Sequence, residues 1–218
     1  LCLGHRAPSN GSSDAGSIVK GFAAVVLAAG QGRRLGRGPK AFVAHGSVTL
    51  LERAVFLLQA AGIHRICAVL PAPPDPVALP EDILVARNPK PDSGPLESVR
   101  IGLESLESEE PVSNLLIHPV DHPEVEVGDI DALVATTLDD LPGVARVVPT
   151  WKGKGGHPIL VTKLGVNALR TASISHGQTL RDVLNQVGGI DYVDAQTGGV
   201  VLNWNRPEDA PSMQGAEF

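Results

Sequence analysis

The chain alternates apolar runs with amphipathic stretches almost from end to end. Residues 23–29 (AAVVLAA), 64–70 (HRICAVL), 83–88 (ILVARN) and 113–121 (SNLLIHPVD) are short, apolar and bounded by turn residues, so each predicts a strand. Between them lie helical patterns. Residues 49–62 put Leu50, Leu51, Ala54, Val55 and Leu58 on one face, and 93–106 put Leu96, Val99, Leu103 and Leu106 at helical spacing behind cap-like residues. Further helices are predicted over 129–141 and 179–187, and a short last one from Pro207. Strands are predicted at 145–151, 157–162 and 192–195, the first two flanking a glycine-rich KGKGG loop or ribbon. Residues 71–80 (PAPPDPVALP) must be a loop, because proline cannot continue a central strand.

Repeated strand-then-helix order predicts a single α/β domain: a mostly parallel, Rossmann-like sheet between two helical layers, a three-layer α/β/α sandwich. Ligands of such sheets bind beyond the carboxyl ends of the strands, here the loops after residues 29, 88, 121 and 151. The polar, small-residue stretch 1–20 reads as a mobile tail, residues 21–211 as the domain, and 212–218 as a C-terminal tail.

Composition narrows the function classes. The chain has 218 residues, 43% hydrophobic and 19% charged, as in a globular domain long enough for a substantial core. Its net charge of -6 argues against general attraction to nucleic acid. No apolar stretch reaches the length of a membrane helix, and no signal-peptide pattern opens the chain. Cys2 and Cys67 are too far apart in sequence to suggest a disulfide framework, and Cys67 reads as a buried thiol in a reducing, cytoplasmic setting.

The chemistry concentrates in residues 25–42, VVLAAGQGRRLGRGPKAF. A buried strand there breaks into Gly30, Gly32 and Gly36, with Arg33, Arg34 and a Pro39-Lys40 pair among and after them. Glycines let backbone N–H groups approach an anion, and the cations add fixed positive charge. The spacing fits neither GxxxxGK[ST] nor GxGxxG. A second candidate is Asp121 at the end of the 113–121 strand, where a carboxylate can hold Mg²⁺ against phosphate oxygens. His118 and His122 are four apart, but Pro119 between them argues against a helix aligning them on zinc.

Leu27, Gly30, Gly32, Arg34, Pro39 and Lys40 match LxxGxGxRxxxxxPK, and the chain thereby resembles the MobA-like nucleotidyltransferases. Residues 150–161 (TWKGKGGHPILV), with Gly156-His157-Pro158, resemble the molybdopterin (molybdenum cofactor) cytidylyltransferase branch. The resemblance covers about Phe22 to Ala210 and implies the nucleotide-diphospho-sugar transferase type of sheet. It implies Mg²⁺-dependent transfer of a nucleoside monophosphate, CMP from CTP, to a phosphorylated small-molecule acceptor, with release of pyrophosphate. Arg34, Lys40 and Asp121 are then catalytic. Leu27, Ala28, Ala29, Gly30, Gly32, Arg33, Lys40, Gly94 and Ser98 bind the nucleotide, and His122, Gly156 and His157 face the acceptor. Asp121 and Asn203 hold the metal, Asn203 being preferred over Asn205 in the 202–210 segment LNWNRPEDA. The resemblance leaves open guanylyl transfer, on Gly94-Pro95-Leu96, and a sugar- or polyol-phosphate acceptor. It also leaves open a nucleotide-binding accessory protein without turnover, because asparagines stand where acids often do.

Overall fold

The computed structural model describes residues 21–30, 39–72, 80–136, 141–172, 177–205 and 209. Its strands are β1 (Phe22–Leu27), β2 (Ala44–His45), β3 (Val48–Thr49), β4 (Ile66–Pro71), β5 (Leu84–Asn88), β6 (Asn114–Pro119), β7 (Val144–Trp151), β8 (Lys154–Gly155), β9 (Ile159–Val161) and β10 (Gly189–Asp194). The helices are α1 (Leu50–Ala60), α2 (Pro95–Glu107), α3 (Val127–Val134), α4 (Lys163–Thr171) and α5 (Leu180–Val187). The main sheet runs in the order β10-β7-β9-β6-β1-β4-β5, with β8 paired to β7. β1 lies between β4 and β6, parallel to both, and β10 is parallel to β7.

Burial on both faces explains why β1 is continuously apolar. Ala24 and Val26 join the core beneath α1 and α3, whereas Ala23 and Val25 join the core beneath α2, α4 and α5. The helices form because their apolar stripes match these two faces. Leu50, Leu51, Ala54, Val55 and Leu58 of α1 are all buried, and so are Leu96, Val99, Leu103 and Leu106 of α2. A capping box starts α1: Thr49 Oγ1 accepts from the Glu52 amide, and the Glu52 carboxylate accepts from the Thr49 amide. Cys67 lies in β4 fully buried, which pushes its thiol pKa up.

The structure departs from the sequence pattern in four places. β9 is antiparallel to both neighbours, β6 and β7. The chain leaves β7, makes the short β8 ribbon and returns, and so brief a connection has no room for a crossover helix. α3 begins at Val127 and ends at Val134, earlier than the 129–141 pattern, and Thr136 turns back on it with its hydroxyl donating to the Ala132 carbonyl. α4 and the small β2–β3 hairpin are additional elements. The tails, most of the proline-rich loop (73–79) and nearly all of the helix expected from Pro207 lie outside the described residues.

The two cores predict contrasting substitutions. Leu116→Ala, in fully buried β6, should lower unfolding free energy by about 2–5 kcal/mol. Phe56→Ala, at a half-exposed α1 position, should stay within about 0.5 kcal/mol of the parent. Urea unfolding curves of both variants check this.

Candidate active site

The site forms where β1 and β6 end side by side. Beyond Leu27, the last ladder residue of β1, the chain continues as Ala28, Ala29 and Gly30, with Val120 N donating to Leu27 O at 3.2 Å and Ala28 N to Val69 O at 3.0 Å. Gly30 is exposed, and its carbonyl accepts from Lys40 N at 3.4 Å, so the two ends of the glycine loop are tied together. Gly32, Arg33 and Arg34 lie outside the described residues. Lys40 opens a 3-10 turn, Lys40–Phe42.

Lys40 Nζ donates to Asp121 Oδ2 at 2.8 Å and to Asn205 Oδ1 at 2.6 Å. Two residues named from sequence, 81 positions apart, are thus a direct ion pair, with side chains 16% and 22% exposed. Partial burial makes such a pair stronger than a surface salt bridge while leaving it open to a ligand.

The third partner corrects the sequence expectation. Asn205, not Asn203, meets the Lys40–Asp121 pair; Asn203 is exposed, and its side chain has no hydrogen bond among the described residues. The cause is the backbone of the 196–205 segment. Its start is fixed by Asp129, a fully buried carboxylate that accepts from Gln196 N (2.8 Å), Thr197 N (3.0 Å), Thr197 Oγ1 (2.8 Å) and Glu126 N (3.1 Å). The segment then passes Val200, whose carbonyl accepts from His157 N at 2.8 Å, and reaches Trp204, whose amide donates to Asp121 O at 2.7 Å. Trp204 is buried and stacks on His45 with centroids 5.0 Å apart. With Trp204 seated there, the next residue faces Lys40. Asp129 is the organising residue that the sequence patterns missed, its only signal being an acidic side chain in the first turn of a helix.

A histidine cluster borders the pair. His122 Nε2 stands 4.0 Å from Asp121 Oδ1, and the His122 and His157 rings lie 4.9 Å apart, tilted by 59°. His118 is buried beneath them in β6. Sequence spacing offered no third histidine near His118 and His122; the fold supplies His157. Gly156 is buried against the 200 segment, where a Cβ would overlap the Val200 carbonyl, so only glycine brings His157 this close. Burial, reinforced by the neighbouring imidazoles, lowers the pKa of His118 to about 3 and that of His157 to about 4. Burial lowers that of His122 too, against the opposing pull of Asp121. The Nδ1 atoms of all three have no hydrogen-bond partner among the described residues.

The loop after β5 is the remaining predicted element. Gly94 takes φ 89°, a conformation that suits glycine, and turns the chain into α2. Ser98 is buried, and its hydroxyl accepts from Asn88 Nδ2 at 2.9 Å; Asn88 Oδ1 in turn accepts from Lys90 N at 2.7 Å. Ser98 thus braces the loop from within, while Gly94 stands at its turn.

This geometry, a glycine loop closed on a lysine that pairs with an aspartate at the end of the next strand, accompanies a sequence match. Residues 24–190 match the MobA-like NTP transferase domain. The chain belongs to that family. Among its relatives, 2-C-methyl-D-erythritol 4-phosphate cytidylyltransferase of Streptomyces coelicolor is 36% identical over 140 residues, 58% of this chain and 50% of that protein. The chain thus spans about half the length of the curated cytidylyltransferases it matches. Nicotine blue oxidoreductase of Paenarthrobacter nicotinovorans is 48% identical over 48 residues, 22% of this chain and 24% of that one. Rv0371c of Mycobacterium tuberculosis H37Rv shares the fold of this MobA-like chain at TM-score 0.66 and 19% identity, over 86% of this chain and 94% of that one. A second structure of Rv0371c is a complex with manganese. No helix among the described residues is long and apolar enough to cross a membrane.

The neutral histidines make stability pH-dependent. Their folded pKa values lie below the ordinary 6.5, so the unfolded chain takes up protons first as pH falls. The stabilisation is complete above about pH 6.5 and drains away toward pH 3–4. From about pH 7.5 to about pH 5.5 each such histidine should remove about 1.4 kcal/mol. Urea midpoints across that range should fall steadily, and His118→Leu should flatten the slope by one histidine's share.

Proposed function

We propose that the chain is a nucleotidyltransferase that moves CMP from CTP to a phosphorylated small-molecule acceptor. An acceptor phosphate oxygen attacks the α-phosphorus, the bond from that phosphorus to the bridging oxygen breaks, and pyrophosphate leaves. The observation that carries this reading is the Lys40–Asp121 pair at the mouth of the glycine loop. Reactions of this kind need positioning and charge neutralisation more than covalent help. Gly30 and the glycine loop, with Gly32, Arg33 and Arg34, cradle the triphosphate, and Leu27, Ala28 and Ala29 carry the chain to them from β1. Lys40 and Arg34 neutralise charge growing on the leaving pyrophosphate. Gly94 and the Ser98-braced loop receive the base, and His122, Gly156 and His157 border the acceptor.

The donor set fits a hard divalent cation such as Mg²⁺. Asp121 Oδ2 and Asn205 Oδ1 already share one cation, the Lys40 ammonium, and both are oxygens. One carboxylate and one amide are few ligands, which suits an ion bound mainly by substrate phosphates and water. Asp121 and Asn205 would hold it, and when bound it supplies electrostatic stabilisation of the phosphates.

Two acceptor classes follow from different support. The likeness to 2-C-methyl-D-erythritol 4-phosphate cytidylyltransferases favours a polyol or sugar phosphate, whereas the Gly156-His157-Pro158 segment favours molybdopterin. An amide at position 205 in place of an acid supports a second reading, nucleotide binding without turnover.

Pyrophosphate release should be measured with each of the four NTPs against 2-C-methyl-D-erythritol 4-phosphate and molybdopterin. Turnover should require CTP and one of these acceptors, whereas binding with no release for any pair would favour the second reading. Lys40→Ala and Asp121→Ala should each lower kcat roughly 100- to 1000-fold with the fold intact. Asn205→Ala should impair turnover and Asn203→Ala should not; the reverse pattern would overturn the ligand assignment made here.

A further inference from the structure

A cavity of about 650 Å³ opens beside the site, between β7, β10 and the first turn of α5. His157 lines it and also touches His122, so His157 stands between the cavity and the Lys40–Asp121 region. Arg146 lines its other end.

Arg146 is unusual on three counts. It is 5% exposed, and no carboxylate among the described residues pairs with it. Nη2 donates to Asn185 Oδ1 at 2.7 Å, but Nη1 has no hydrogen-bond partner among the described residues. A like charge, Arg181, also acts on it and also lines the cavity. A buried cation lacking a counterion is costly, and the usual compensation is a paired anion.

A strand irregularity puts Arg146 there. β10 pairs Gly189 with Val144 and Ile190 with Arg146, so Ala145 is an extra residue in β7. Such a bulge re-aims the side chains after it. Beyond it Arg146, Val148 and Thr150 all line the cavity, and the phenol of Tyr192 lies near enough to interact with Arg146.

We propose that Arg146, assisted by Arg181, binds a second anionic oxygen group of the acceptor, a phosphate or a carboxylate, at the far end of this cavity. Its use as an acceptor subsite rests on the nucleotidyl-transfer reading; the anion site itself does not. Gly156 N donates to the Pro149 carbonyl, which sets His157 about level with Pro149, and Arg146 lies three residues earlier in β7, about 10 Å along the strand. The acceptor is therefore elongated. Its reacting phosphate lies near Lys40, and its second acidic group is separated from it by the length of the cavity.

Inorganic phosphate, and separately acetate, should be titrated into the full chain without nucleotide or metal. Arginine side-chain ¹H–¹⁵N spectra provide the readout. The Arg146 Nε resonance should shift saturably, more with the preferred anion. Arg146→Gln should weaken that binding, read at the Thr150 and Tyr192 amides, by roughly ten- to a hundredfold. Arg181→Gln, at an exposed position that leaves the bulge untouched, should weaken it less. Lys40→Met should leave the Arg146 response unchanged. Absence of an Arg146 shift with either anion, or its loss in Lys40→Met, would overturn the proposal. In turnover assays with an acceptor that carries a second phosphate or carboxylate, Arg146→Gln should raise the acceptor KM while the CTP KM holds. An unchanged acceptor KM would refute the subsite role. An Arg146 shift in a protein that turns over no NTP would refute the nucleotidyl-transfer reading and leave the anion site standing.

Discussion

One ammonium group organises the carboxyl edge of this sheet. Lys40 Nζ lies between Asp121 and Asn205, and each of the three comes from a different part of the chain. The contact ties Lys40, where the glycine loop ends, to the end of β6 and pins the 196–205 segment across both. Part-buried, it is a strong electrostatic interaction that an incoming polyphosphate can still reach. A residue with this arrangement is ready to exchange protein oxygens for phosphate oxygens with little movement, which is the sense in which the site is preorganised.

The clamp depends on a quieter device. Asp129 satisfies four donors from two segments while fully buried, and so sets where residues 196–205 begin. From there the chain has little choice. Val200 receives the His157 amide, Trp204 enters the core, and Asn205 meets Lys40. Replacing Asp129 would leave the Glu126, Gln196 and Thr197 amides without their acceptor and release the segment packed against the Lys40–Asp121 pair.

Much of this was legible in the sequence where a local signal coincides with a global requirement. β1 is apolar without alternation because both its faces are buried, and α1 and α2 carry stripes that match those faces. Lys40 and Asp121 could be named because a motif and a strand end mark them. What could not be read were consequences of packing. The antiparallel direction of β9 follows from a short ribbon, not from its composition. The choice of Asn205 over Asn203 follows from where Trp204 is seated. The meeting of His157 with His122 follows from a close approach that a glycine permits. The bulge before Arg146 leaves no mark in the hydrophobic pattern at all, since Val144 to Val148 reads as an ordinary strand.

Neutral histidines and an arginine with no carboxylate partner among the described residues give the proposed acceptor side a different electrostatic character from the proposed phosphate side. One side concentrates charge around Lys40; the other keeps its imidazoles uncharged and holds the buried cation Arg146 in the cavity wall. The central claim is that Asp121 and Asn205 face the metal-bound phosphates of the nucleotide. It is tested most directly by adding Mn²⁺–CTP to ¹⁵N-labelled protein and reading the Asn205 side-chain amide. If the claim holds, paramagnetic broadening is strongest at Asn205 and at residues flanking Asp121, and is lost in Asp121→Asn. Broadening centred elsewhere, with the Asn205 amide still sharp, would contradict it.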